Sequence, residues 1–484
     1  MAAQSLKGNF IYQSLYQVIT LVIPFIVAPY LTRVLGSNNL GIYTYVGSIA
    51  SYFVILANLG ISKHGQRIIA SRRNDNTELR KAFWSLFSVH AIFSMLAIAS
   101  YVIYVCFVTE YQDIYIIHGL IVLSALVDFT WLYYGLEDFK TVVLRNTVIK
   151  VIECVLIFAL VRNRGDLSIY TLIICISTLL GQIALLPDTL KRIPPISVSL
   201  KECKDHIKPL MILFISVVAV SLYTIFDKTM LGLLSTKDNV AFYEYANRII
   251  MIPKQFIYVI GTVLFPRACA LFAKGSFDLL KKYIDLSMYL TSVLSFLFIS
   301  LIVVCANKFV VLYLGADFAE TGKVLLYMSP LIAIVMIGDV IRSEFLIPAN
   351  KDTLFTSCIV ISGVLNVILS YILIPVVGIV GSIIGTTCAE LFGTLFQLIA
   401  GRKIYSLREL FKNILPFGFI SFIVCICINR FDANTELGWT WVFIESAAVV
   451  LIYSILSLLV TRSMFNDHFL LIKNLIFKKT NENS

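Results

Sequence analysis

FWSLFSVHAIFSMLAIASYVIYVCFV, residues 83–108, carries no lysine, arginine, aspartate or glutamate in 26 residues. As a helix rising ~1.5 Å per residue it outspans a hydrocarbon core of about 30 Å. Arg80 and Lys81 stand before it and Glu110 after it. Runs of this kind recur near 10–35, 40–62, 114–135, 146–162, 168–188, 209–234, 241–266, 284–305, 321–345, 354–374, 379–400, 413–429 and 439–461. No water-facing polar stripe repeats through them, as it would in a soluble helical protein. Composition agrees: 59% of the 484 residues are hydrophobic and 14% charged, against about a quarter charged in soluble domains. Mean hydropathy is +0.88. The reading is an all-α polytopic membrane protein of about fourteen spanning helices.

The net charge of +10 is loop charge. Counted loop by loop, one set of alternate connections holds 27 lysines and arginines. It includes the cluster Lys63, Arg67, Arg72, Arg73, Arg80 and Lys81, and also Lys140 and Arg145. The other set holds six: Arg33, Arg162, Arg164, Lys237, Lys308 and Arg430. Basic loops stay on the cytoplasmic side, so both termini are expected there. A short apolar segment, His468 to Lys479, is expected to lie on that surface. Trp131, Tyr133 and Tyr134 read as an interfacial aromatic belt.

No loop leaves room for a soluble catalytic domain, and the chain is not expected to be an enzyme. GADFAETGK at 315–323 spaces its glycines too widely for a phosphate loop, and Val324 follows where Ser or Thr would hold magnesium. The ten cysteines are scattered, and Cys425-Ile426-Cys427 lacks metal-ligand spacing. No metal or cofactor is implied.

TRVLGSNNLGIYTYVGSI at 32–49 resembles KTMLGLLSTKDNVAFYEYANRI at 228–249. Each copy ends a helix on Leu-Gly and opens the next with Tyr-x-Tyr. The offset is six helices, which preserves orientation and suggests two parallel lobes. The expected organisation is an N-lobe at 1–200 (helices 1–6), a C-lobe at 201–402 (helices 7–12), and helices 13 and 14 with a cytoplasmic tail at 403–484.

Lys150, Lys228, Arg248, Lys254, Lys323 and Arg342 lie outside the loops. Charges within spans usually face the bundle interior and mark a pathway. The alternative is neutralisation by an acid one turn away. Glu153, Glu244 and Asp339 stand at that spacing from Lys150, Arg248 and Arg342. Lys323 falls at a helix end, where its chain can reach the interface. Lys254 follows Pro253 near mid-membrane with no acid at neighbouring turn positions. Lys228 has only the adjacent Asp227, and Arg33 has no acid within a turn. Asp128 and Glu390 are lone acids within runs; Thr386, Thr387 and Thr394 lie near enough to satisfy Glu390.

WLYYGLEDFKTVVLRNTVIKVIECVLIF from Trp131, NLGISKHGQRIIASRRND at 58–75, LYTIFDKTMLGLLSTKDNVAFYEYANRI at 222–249 and Phe265-Pro266-Arg267 resemble the Wzx-type O-antigen and polysaccharide flippases. The resemblance covers most of the first twelve helices. It implies membership of the multidrug/oligosaccharidyl-lipid/polysaccharide superfamily. It also implies transfer of an undecaprenyl-diphosphate-linked oligosaccharide across the bacterial cytoplasmic membrane by alternating access. The pathway would be O-antigen, capsule or exopolysaccharide synthesis, with the polysaccharide polymerase and assembly machinery as partners and no nucleic acid. A diphosphate cannot cross hydrocarbon without paired charge. The candidate cavity cations are Lys254, Lys228, Arg248, Arg33, Lys150 and Arg342; the candidate ion-coupling acids are Asp128, Glu153, Asp227 and Glu390. Membrane potential, H+ or Na+ would drive the step. The alternatives are a cation-coupled drug antiporter of the same superfamily, or a membrane polysaccharide polymerase.

Overall fold

The computed structural model describes residues 6–402, 405–432 and 437–464. All regular structure among them is helical. The segment 468–479, expected on the membrane surface, lies outside the described residues. The helices form two compact units that divide between Ala241 and Phe242.

The first unit holds α1 (Leu6–Asn58), α2 (Ile61–Arg72), α3 (Asn76–Phe107), α4 (Gln112–Leu126) and α5 (Thr130–Gly135). It continues with α6 (Phe139–Leu160), α7 (Leu167–Ile183), α8 (Leu186–Arg192), α9 (Leu200–Thr224) and α10 (Phe226–Leu234). In α1 two of the expected helices follow one another across a kink at Gly36, whose φ of 77° is a conformation that suits glycine. Asp75 starts α3 by accepting from the backbone of Thr77 and Glu78 at 2.8 and 3.1 Å. Ser199 and Glu202 start α9 with a reciprocal capping box. The Ser199 backbone and hydroxyl hold the Glu202 carboxyl below the usual range.

Between apolar helices in lipid there is little hydrophobic gain, so close packing and hydrogen bonds decide the contacts. The stretches that carry the family resemblance make such contacts. Trp131 and Tyr133 are 1% and 0% exposed. They are core residues, which overturns their reading as an interfacial belt. A Cβ on Gly65 would come within 2.5 Å of the Trp131 ring, so Trp131 sits directly on the α2 backbone. The Tyr133 hydroxyl donates to Asp188 at 2.8 Å, and Arg192 pairs with Asp188 and Asp138 at 2.8 and 2.9 Å. These bonds tie α5 and the start of α6 to α8. Arg145, counted above as a loop cation, lies inside α6 and donates to the Gly181 carbonyl at 2.6 Å and to Gln182 at 2.9 Å. His64, His206 and Ser85 form a chain with 3.1 Å steps joining α2, α9 and α3. Burial, helped by Arg72, holds His206 below the usual imidazole range.

The second unit takes most of α11 (Lys237–Ala273), then α12 (Phe277–Leu314), α13 (Ala319–Met328) and α14 (Pro330–Ile341). A five-residue π-turn, Arg342–Leu346, extends α14. After it come α15 (Asp352–Val377), α16 (Ile379–Gly401), α17 (Leu407–Asp432) and α18 (Trp439–Met464). α15 and α16 form an antiparallel hairpin of unusual closeness. Gly381, Gly385 and Gly393 on α16 meet Leu373, Ser370 and Ser362 on α15, where added Cβ atoms would come within 2.5, 2.6 and 2.9 Å. This is the small-residue, four-spaced packing of membrane helices. α17 and α18 dock on α12 through polar contacts. Ser300 donates to Ser421 at 2.8 Å, Tyr453 to the Val293 carbonyl at 2.9 Å, and the Tyr289 and Thr461 hydroxyls are 2.7 Å apart. Lys308 pairs with Glu445 at 2.6 Å. Lys308 was read as an outside-loop residue; α12 runs on to Leu314 and places it within a helix.

Ten helical stretches among the described residues are long and apolar enough to cross a membrane, or eleven if the bent pair 316–328 and 330–346, 42° apart, is one span. The chain is a multi-pass helical membrane protein. Of the fourteen stretches read as spans, two share α1 and three depart from a plain apolar rod. α6 carries Arg145, Lys150 and Glu153, 209–234 is divided between α9 and α10, and 321–345 is bent.

Candidate functional site

In the first unit, residues 32–49 lie against 228–241, the part of the similar stretch that belongs to this unit. Ser37 donates to the Asp238 carboxylate, and Asn38 reaches Asp238 at 3.4 Å. The Lys237 ammonium donates to the Gly232 carbonyl at 2.5 Å and lies 4.1 Å above the Tyr45 ring. Farther along, Ser48 and Tyr52 on α1 stand 2.9 and 3.3 Å from the Thr229 hydroxyl on α10. A Cβ at Gly41 would overlap the Lys237 carbonyl, and one at Gly232 would overlap the Tyr45 ring. The seam therefore depends on two missing side chains. Gly41→Ala is expected to force it apart at a cost of about 1–3 kcal/mol, typical of overpacking. Oxidative cross-linking between Ser37→Cys and Asp238→Cys reads this out: the cross-link should form in the parent and fall sharply with Gly41→Ala.

Lys228 and Asp227 lie on α10, beside Thr229 of the seam, with Asp227 buried. Arg33 is exposed and donates to the Pro29 carbonyl at 2.8 Å. Lys150 pairs with Glu153 on α6 at 2.8 Å. Asp128 does not lie within a helix. It sits in the break between α4 and α5 and accepts from the Thr130 backbone and hydroxyl at 2.9 and 2.6 Å. That is a local turn cap, and the break was hidden in an unbroken apolar run.

In the second unit the structure gathers five ionisable groups. Lys254 is half-buried on α11. Among the described residues it makes no hydrogen bond or ion pair, and Glu390 on α16 lies within electrostatic reach of it. Glu390 also lies within reach of Arg342 on the π-turn, as does Tyr258, one turn along α11 from Lys254. Arg342 pairs with Asp339, and its guanidinium stacks 5.4 Å from the Phe355 ring centre. Gly261 brings the α11 backbone against this group: a Cβ there would lie 3.5 Å from Ser343 and 3.6 Å from Asp339. Thr394 spends its hydroxyl on the Ile334 carbonyl at 2.9 Å, and Thr386 donates to Ser382 at 3.0 Å. Arg248, also on α11, is exposed, pairs with Glu244 at 2.7 Å and stacks on Tyr245. Lys254 and Arg342 thus both lie within electrostatic reach of Glu390, and Arg248 keeps a local partner.

Sequence reasoning missed Asp339 as more than a local partner, and missed Tyr258 and Glu344 altogether. Asp339 could have been found from its four-residue helical step to Ser343 and Gly338 beside it. Glu344 carried no signal, since a π-turn has no sequence signature here. An ammonium with three donors and a guanidinium near one carboxylate are groups of the kind that hold an anion.

Residues 6–272 match the family described as polysaccharide biosynthesis protein. The chain belongs to this family. Residues 213–372 also match the MatE family. A relative from Shigella dysenteriae, named for O-antigen transport, is 25% identical over 410 residues, covering 82% of this chain and all of that one. One from Escherichia coli K12, named likewise, is 23% identical over 412 residues, covering 82% and 97%. The lipid II flippase MurJ in an inward closed conformation shares the fold, with a TM-score of 0.75 at 15% identity over 94% of this chain and 99% of that one. An inward-facing MATE-family multidrug resistance transporter of the MOP superfamily matches with a TM-score of 0.60 at 15% identity, covering 81% and 96%. The resemblance to Wzx-type flippases read from the sequence therefore stands, and this polysaccharide biosynthesis protein has the fold of that superfamily.

Proposed function

We propose that the chain is a flippase that carries an undecaprenyl-diphosphate-linked oligosaccharide from the inner to the outer leaflet of the bacterial cytoplasmic membrane. The observation that carries this is Lys254: a half-buried ammonium on a spanning helix, with no hydrogen-bond or ion-pair partner among the described residues and Arg342 in the same group. A cation so placed is costly unless a ligand uses it, and a lipid diphosphate is such a ligand. Names of the relatives, O-antigen transport, fit a cargo of this class.

The basic loops support cytoplasmic termini, and hence outward movement of negative charge. A potential negative inside favours that by roughly 2.3 kcal/mol per charge per 100 mV. Glu390 is the candidate for ion exchange, because a phosphate arriving at Lys254 takes away the charge that faces this carboxylate.

The test uses the purified full chain in liposomes loaded with a fluorescent undecaprenyl-diphosphate-linked oligosaccharide. Protein-dependent transfer between leaflets, faster under an imposed potential of the right sign, is expected. Transfer no faster than in protein-free liposomes would sink the reading. Efflux of a cationic dye in the same vesicles would favour the drug antiporter.

A further inference from the structure

Glu344 is 0% exposed, at the middle of the π-turn that also carries Arg342. The Ser287 hydroxyl on α12 donates to its Oε1 at 2.5 Å. Its Oε2 meets no hydrogen-bonding group among the described residues. The surroundings are apolar: Ile284, Met288, Phe345 and Leu346 belong to the same buried cluster. π-turns are rare and recur at functional sites.

Charged groups on the elements packed around this cluster have other contacts: on α11, Arg267 lies 5.2 Å from the Tyr283 ring. On α14, Asp339 is paired with Arg342. On α12, Asp285 accepts from Tyr405 and Asn413 at 3.0 and 2.6 Å. Lys351, before α15, sits 4.9 Å from the Phe345 ring. On α16, Glu390 faces Lys254 and Arg342. A bare carboxylate with one hydroxyl partner is strongly disfavoured in such a place, and such groups neutralise instead.

We infer that Glu344 is a proton-binding site whose proton locks the π-turn to α12. With the proton on Oε2 the acid is neutral, and Oε1 is an ordinary carbonyl acceptor for Ser287. When water reaches the turn, the O–H bond breaks, the electron pair stays on Oε2 and the proton passes to water. The charged carboxylate then no longer fits its apolar setting. The turn that holds Arg342 and its pairing with Asp339 loosens. The ligand is the proton alone, and the effect is on a neighbour of the anion site. The transport consequence rests on the proposed flippase reading; the bound proton does not.

Infrared difference spectroscopy on the purified full chain in lipid tests the proton directly. The C=O stretch of a protonated carboxyl is expected at neutral pH in the wild type and lost in Glu344→Gln. Ser287→Ala should shift the same band, because it removes the hydrogen bond to Oε1. No difference band between wild type and Glu344→Gln, or a band unmoved in Ser287→Ala, overturns the site. A leaflet-transfer assay tests the lock. Glu344→Gln, held neutral, should lose the pH dependence of transfer. If the band is present yet Glu344→Gln keeps the wild-type pH profile, the lock falls while the site remains. If the wild type transfers no lipid-linked glycan but the band is present, the function reading fails and the site stands.

Discussion

Lys254→Ala should lower leaflet-to-leaflet transfer of the lipid-linked glycan by about ten- to a hundredfold, with protein levels unchanged. A hydrogen bond to a charged group contributes about 1.5–3 kcal/mol, and each 1.4 kcal/mol is about tenfold. The ammonium has no hydrogen bond or ion pair among the described residues, so its removal should leave the fold intact. Lys254→Arg keeps the charge and should retain a substantial part of activity, altered by the wider, planar head. Glu390→Gln should act in the opposite direction on head-group binding, since it removes the acid that competes for Lys254. The pair is read best as a double-mutant cycle. Full activity in Lys254→Ala would remove Lys254 from the site.

Glu445→Ala should destabilise the second unit by about 3–5 kcal/mol, the usual cost of leaving one member of a buried ion pair behind. The Lys308 and Glu445 side chains are 15% and 6% exposed, and they join α12 to α18 at 2.6 Å. A neighbouring contact, Cys305 to Ser446 at 3.4 Å, is too weak to replace them. Thermal unfolding of the detergent-purified protein measures the loss. Replacing both residues together, Lys308→Met with Glu445→Met, should recover most of it, because the cost lies in the stranded charge and not in the missing attraction. A double variant as unstable as Glu445→Ala would contradict this.

The plain apolar helices were legible because hydropathy decides them: residues 83–107 of the charge-free run fall inside α3, and Val108 follows as its cap. What the sequence hid were features set by contacts distant along the chain. Lys308 looked like a loop residue because its partner is 137 positions away. Asp128 looked like a membrane acid because the break that it caps lies in a continuous apolar run. Trp131 and Tyr133 looked interfacial because a belt and a packed core draw on the same residue types, and only Gly65 and Asp188 tell them apart. The local pairs, by contrast, were readable. Lys150 with Glu153, Arg248 with Glu244 and Arg342 with Asp339 follow from helical spacing alone. The approach of Glu390 to Lys254 joins α16 to α11 and no local rule reaches it. The Gly381 and Gly385 spacing did carry a readable signal, the four-residue step of a close helix pair.

That hairpin bears on how the protein is made. α15 and α16 approach backbone to backbone at Gly381 and Gly385, with only Gly378 between Val377 and Ile379. Two helices joined so closely have no room for lipid between them and are expected to enter the bilayer as one hairpin. Bulkier residues at these glycines would be felt during biosynthesis, before any cargo is met. Glu390 belongs to this hairpin, so entry as a pair would spare its carboxylate exposure to acyl chains on a solitary helix.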